Sequence, residues 1–262
     1  MKKKCPNSFF FSGGGLSAAF YVGIYKKMSE VWSYEALFKA KYLGNYAGAM
    51  MSFLILSEKK YQDMDKLYLT FLKDIEKTGI FGNVSNYIND VLNSILVNED
   101  DYKKYNYRLY IGLTEFPLKY KIIYEWKSNQ ELIDTIHASM HIPFYSTHTK
   151  KINNKIYIHG AVWHDYQFFN DDTITISQWN KLADINLNNI LNYNDKFFNL
   201  KKENYSKLFD LGYQKCEEFL NKEDVIIKKN YEYSALNGAF YITVTILFWI
   251  LRYIQELIIL IT

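Results

Sequence analysis

Cysteine, proline and arginine are scarce in this chain: Cys5 and Cys216, three prolines, and Arg108 and Arg252 among 262 residues. Two cysteines suffice neither for a disulfide framework nor for a thiolate metal cage, and an intracellular, reducing location on the cytoplasmic side is the expectation. Lysine carries nearly all the positive charge, and the net charge is only +3. Bidentate recognition of bases and phosphates favours arginine, so nucleic acid is not an expected partner. A secretion signal is not expected either. Lys2, Lys3 and Lys4 imitate its basic start, but only Phe9 to Phe11 follow before a run of glycines. No internal repeat and no Pro/Gly/Ser-rich linker divides the chain.

Apolar residues make up 49% and aromatic residues 18% of the sequence, which excludes a disordered chain. One sizeable core in a single α/β domain is the expectation. Ser8 to Phe11 reads as a strand, Ser12 to Gly15 as a glycine turn, and Leu16 to Met28 as a helix. Tyr42–Leu43, Gly44 to Gly48 and Ala49 to Leu56 repeat that grammar. Leu67, Phe71 and Ile75, then Ile88, Val91, Leu92 and Ile95, recur at helical spacing. Tyr107 to Thr114 and Lys121 to Trp126 read as a hairpin, Glu131 to Ser139 as a helix stopped by Pro143, and Ile152 to Ile158 and Thr173 to Ile176 as two further strands. A domain over 8–220 is expected, followed by a hydrophobic tail over 221–262. Residues 233–251 contain no charge, and nineteen residues at about 1.5 Å each nearly match a hydrocarbon core, so this segment is a candidate membrane anchor or a docked amphipathic helix.

Two glycine motifs carry the chemistry. Gly13, Gly14 and Gly15, with Leu16 behind them, join a strand to a helix, where backbone N–H groups and the helix dipole can face a developing negative charge. Gly44-Asn45-Tyr46-Ala47-Gly48 has the spacing of a nucleophile elbow, and no other two of the 12 glycines lie four apart. Further along come Gly112-Leu113-Thr114, Ala138-Ser139 with Ile142, Pro143 and Phe144, His159-Gly160-Ala161, Thr173 to Ser177, and Leu211-Gly212-Tyr213 with Phe219-Leu220. In this order the segments resemble the patatin-like phospholipases, in particular the adiponutrin-type branch, over roughly residues 8 to 220. That resemblance implies a three-layer α/β/α sandwich around a central mixed, mostly parallel sheet, with a serine at the elbow, an aspartate as its base, and the glycine turn as oxyanion hole.

Tyr46 stands where the family has its serine, and His159 where it has its aspartate; the chain contains no Asp-Gly dipeptide. The resemblance therefore implies Gly13, Gly14, Gly15, Leu16 and Ala47 around an oxyanion or lipid site, Gly44 and Gly48 as elbow glycines, and a Tyr46–His159 pair that does not turn over. The expected protein is a catalytically inactive homologue that binds lipid or a membrane surface. The alternatives are an active lipid acyl hydrolase working through Tyr46 and His159, and a tail-anchored interaction protein. His137 and His141 have zinc-ligand spacing, but no glutamate follows His137 and Pro143 ends the helix, so neither a metal nor a cofactor is expected.

Overall fold

The structure, a computed structural model, describes residues 4–15, 18–80, 82–115, 119–141, 146, 151–160, 169–170, 172–178, 180–187 and 202–222. In the C-terminal segment it describes 243, 246–247, 249–251, 253–255 and 258; of 159, 202 and 203 it describes the backbone alone. The architecture is α/β, with a mixed, mostly parallel central sheet of eight strands, compatible with a three-layer sandwich.

The centre of the sheet is parallel. β1 (Ser8–Phe11) pairs with β2 (Lys41–Asn45) on one side and β7 (Ile174–Ser177) on the other, β2 continues to β3 (Leu109–Glu115), and β7 continues to β8 (Ile185–Asn186). Every residue of β1 and β7 is buried, as expected for strands covered on both faces. The antiparallel members are β4 (Lys119–Ile123), β5 (Lys151–Ile152) and β6 (Lys155–His159). The expected single strand over Ile152 to Ile158 is thus a hairpin. Asn153 and Asn154 both have positive φ, 50° and 61°, the requirement of a type I′ turn, and asparagine tolerates that region.

Helices supply the crossovers that parallel strands require. α1 (Ala19–Val31) starts three residues later than its expected beginning at Leu16, and α2 (Tyr34–Lys39) is an unforeseen short helix capped by Ser33, whose side chain accepts the Ala36 N–H at 3.2 Å. Between β2 and β3 lie α3 (Ala47–Leu56), α4 (Tyr61–Thr78) and α5 (Val84–Ile95), then a 3₁₀ turn at Asp101–Lys104. α6 (Asn129–Ser139) follows β4, and α7 (Lys202–Leu220) packs along α1. Their backbones touch: a Cβ on Gly23 would lie 1.9 Å from the Phe209 carbonyl oxygen, and one on Gly212 would lie 2.0 Å from that of Phe20. Lys27 Nζ then reaches Glu217 Oε1 at 2.6 Å across the same pair.

In the C-terminal segment each described position from 243 to 258 is helical. Residues 223–242, and with them the first half of the expected 233–251 anchor, lie outside the described residues. Among the described residues no helix is long and apolar enough to cross a membrane.

Candidate functional site

The elbow is one residue wide. β2 ends at Asn45, α3 starts at Ala47, and Tyr46 between them has φ 54° and ψ −120°. A non-glycine residue there costs about 1–3 kcal/mol and persists only when its surroundings leave no alternative. The two flanking glycines supply that constraint. A Cβ on Gly44 would sit 2.3 Å from the Gly48 carbonyl oxygen and 2.5 Å from Ala49 Cα; one on Gly48 would sit 2.1 Å from the Phe11 carbonyl oxygen and 2.6 Å from that of Ser12. The first turn of α3 is therefore pressed against both β2 and the end of β1. The apex is clamped as well: the Tyr46 N–H donates to Ser139 Oγ at 3.0 Å, and that hydroxyl donates to the Gly112 carbonyl at 2.9 Å.

Gly112 is the hub of this arrangement. Asn45, fully buried, pairs with it in register, and Asn45 Oδ1 accepts the Tyr120 hydroxyl at 2.9 Å. A Cβ on Gly112 would fall 1.9 Å from that same Oδ1, and one on Gly160 would fall 2.4 Å from the Gly112 carbonyl. The register explains why Gly160 arrives there. β4 occupies one edge of β3 from Ile111 to Glu115, so β2 and β6 share the other edge, β2 up to Gly112 and β6 from Leu113 onward. His159 pairs with Leu113, one residue beyond the Asn45–Gly112 pair. Hence β6 ends at position 159 beside the point where the chain leaves β2 at position 46.

On the far side of the apex the glycine turn follows β1. The Ser12 N–H donates to the Ile176 carbonyl at 2.9 Å, the Tyr21 hydroxyl donates to the Ser12 carbonyl at 2.7 Å, and Gly15 has φ 54°. A Cβ on Gly14 would meet the Gln178 side-chain nitrogen at 2.6 Å. Leu16 and the Ile142 to Phe144 motif lie outside the described residues. Among the described residues, no side chain caps the first turn of α1 or of α3.

Gly15, Tyr46 and Ala47 line one cavity of about 110 Å³. Its walls come from α1, α3, α4 and α5, with Met140 closing the end near Ser139. Among the described residues lining it, the side-chain polar groups are the hydroxyls of Tyr46, Tyr68 and Tyr87, on a wall otherwise made of aliphatic, methionine and phenylalanine side chains. Tyr87 donates to the Leu67 carbonyl. Burial drives the Tyr68 phenol far above the usual tyrosine range, and the neighbouring Tyr46 and Tyr87 push it the same way. Four methionines, Met50, Met51, Met64 and Met140, give the wall the adaptability of unbranched thioethers. No cationic side chain is among the described residues lining it, so an anionic nucleophile formed inside would find no counter-charge among them.

The family resemblance implied the two glycine turns and the apex in one neighbourhood, but not the tyrosine and methionine walls. Met64, Leu67, Tyr68 and Phe71, and then Val84, Tyr87, Ile88 and Val91, do show helical spacing, which marks a covered face without saying that the face encloses space. His137 and His141 are not brought into a metal site: His137 Nε2 meets Asn89 Oδ1 at 2.6 Å, and among the described residues no group of three or more His, Cys, Asp or Glu could hold a metal. No protein-family model matches the chain, and no curated protein matches it in sequence.

Proposed function

We propose that this chain is a patatin-like protein that binds the acyl part of a lipid without hydrolysing it. The observation that carries the reading is Tyr46 at the strained apex of a strand–turn–helix, facing an apolar cavity that it shares with a glycine turn. Such an apex presents a nucleophile to an ester in α/β hydrolases. A phenolic oxygen stands about 4 Å farther from the backbone than a serine hydroxyl, while attack geometry is sensitive on a scale of about 1 Å. The ring also takes the volume an acyl carbon would need. What remains is a methionine-rich cavity suited to a flexible hydrocarbon chain, with two uncapped helix starts whose N–H groups suit a carboxylate or phosphate head.

A second reading is an active hydrolase using a Tyr46 phenolate with His159 as base. The adjacent strand positions of Asn45 and His159 on β3 favour it; the apolar wall opposes it. The test is the purified full chain on phospholipid, triacylglycerol and short-chain ester substrates, beside Tyr46→Phe and His159→Ala, together with uptake of a fluorescent fatty acid. Expected are no turnover in any of the three proteins, and saturable uptake lowered about tenfold by Val91→Trp, which fills the cavity. Ester hydrolysis abolished by Tyr46→Phe would establish the second reading instead, and absence of uptake would remove lipid binding altogether.

A further inference from the structure

The size of the cavity beside Tyr46 limits what it can take. A cavity of roughly 150 Å³ in a protein core holds one benzene ring, about six carbons. At about 110 Å³ this one encloses on the order of four to six carbons, a short acyl chain or the end of a long one.

That volume is set by a braced frame. α4 and α5 are joined by Tyr87, whose hydroxyl donates to the Leu67 carbonyl and whose ring centre lies 4.9 Å from that of Phe71. On its other side α4 is held to α7: the Tyr68 and Tyr205 rings stack at 5.4 Å, and the Tyr205 hydroxyl donates to Asp65. α5 is tied in turn to α6 by the 2.6 Å contact between Asn89 Oδ1 and His137 Nε2. The first turn of α3 already lies against β1 and β2, so this wall cannot retreat into the sheet. What the wall can change is the rotamers of its four methionines, which adapts the space in shape more than in size. The described lining residues offer no cation, so a carboxylate gains nothing by entering and the enclosed part is hydrocarbon.

We propose that the ligand is a short acyl group, with about four to six carbons of chain inside the cavity and its carbonyl end at the glycine turn and the start of α3. This rests on the reading of the cavity as an acyl site and narrows that reading to short chains. A longer chain enters by its end alone, and the rest of it stays in water.

The test is calorimetric titration of the full chain with sodium propionate, butyrate, hexanoate, octanoate and decanoate. Each methylene taken out of water tightens binding about fourfold, so affinity should climb at that rate as far as about hexanoate and change by less than about twofold from octanoate to decanoate. Leu67→Ala removes an isopropyl group from the wall while keeping the carbonyl that holds Tyr87, and should move the plateau outward by about two carbons; Leu67→Phe should move it inward. Leu67 is half-buried, and thermal melts check that both variants fold. Methyl hexanoate beside hexanoate distinguishes the source: tighter binding of the ester marks an acyl group carried on a larger molecule, tighter binding of the acid a free carboxylate. An affinity that keeps climbing about fourfold per carbon through decanoate overturns the short-chain limit and leaves the acyl site standing, as does a plateau that neither Leu67 variant moves. Titrations in which no member of the series binds remove the acyl site itself.

Discussion

Replacing Gly48 by alanine is the sharpest trial of the elbow. The added methyl would stand 2.1 Å from the Phe11 carbonyl oxygen and 2.6 Å from both the Phe11 carbonyl carbon and the Ser12 carbonyl oxygen. Contacts of a Cβ below about 3 Å do not occur in folded proteins, and all three atoms here are backbone, so α3 must retreat from β1 by roughly 1 Å. Forced overpacking of this kind costs about 1–3 kcal/mol, and a backbone obstacle places the effect at the upper end. For a chain of this size about 3 kcal/mol lowers the melting temperature by roughly 6–12 °C. Gly79→Ala is the control. That glycine has φ 78° and ψ 164°, a region almost confined to glycine, and nothing within 4 Å of an added Cβ, so the substitution meets backbone strain alone, about 1–3 kcal/mol. Thermal melts followed by circular dichroism measure both, with urea midpoints as a second axis. A Gly48→Ala protein that melts within about 2 °C of the parent refutes the close approach on which the apex geometry depends.

Ser139→Ala removes the part-buried acceptor of the Tyr46 N–H and the buried donor to Gly112, and should cost about 1–3 kcal/mol in a urea titration. A loss below about 0.5 kcal/mol would show that the clamp is not needed. Burial pushes the Cys216 thiol up to about 12, against an ordinary value of 9.0. A thiol whose folded value is raised contributes stability that is whole below its unfolded value and is lost as pH climbs through the folded one. Stability should therefore fall between about pH 9 and 12, less so in Cys216→Ala, and Cys216 should resist thiol reagents at neutral pH until the chain unfolds. Rapid native-state labelling of Cys216 would contradict its burial.

The elbow was legible in the sequence because sterics leave few ways to write it: two glycines four apart around a strand-to-helix turn are required by the contacts at Gly44 and Gly48. The helices over Leu67 and Ile88 were legible for a different reason, the spacing of their apolar residues. The β5–β6 hairpin escaped because its signal is the Asn153–Asn154 pair in the left-handed region, inside a stretch that otherwise reads as one strand. The adjacency of positions 46 and 159 depends on which edge of β3 each neighbour takes, and register is a property of the assembled sheet, invisible to local pattern. The cavity was hidden for a similar reason. Tyr68, Tyr87 and Met64 look in sequence like any buried helix face, and only the separation of α4 and α5 from α3 makes a space between them.

α6 carries two hydrogen-bonding side chains near its C-terminal end, and they face different neighbours: His137 holds Asn89 on α5, while Ser139 holds the amide of residue 46. The wall of the hollow and the backbone bend beneath it are therefore coupled in series through a single helix end. Whatever widens the hollow by pushing α5 aside also tugs on the peptide at the bend. An occupant that displaced α5 would thus be felt at Tyr46, whose backbone is held against its preference.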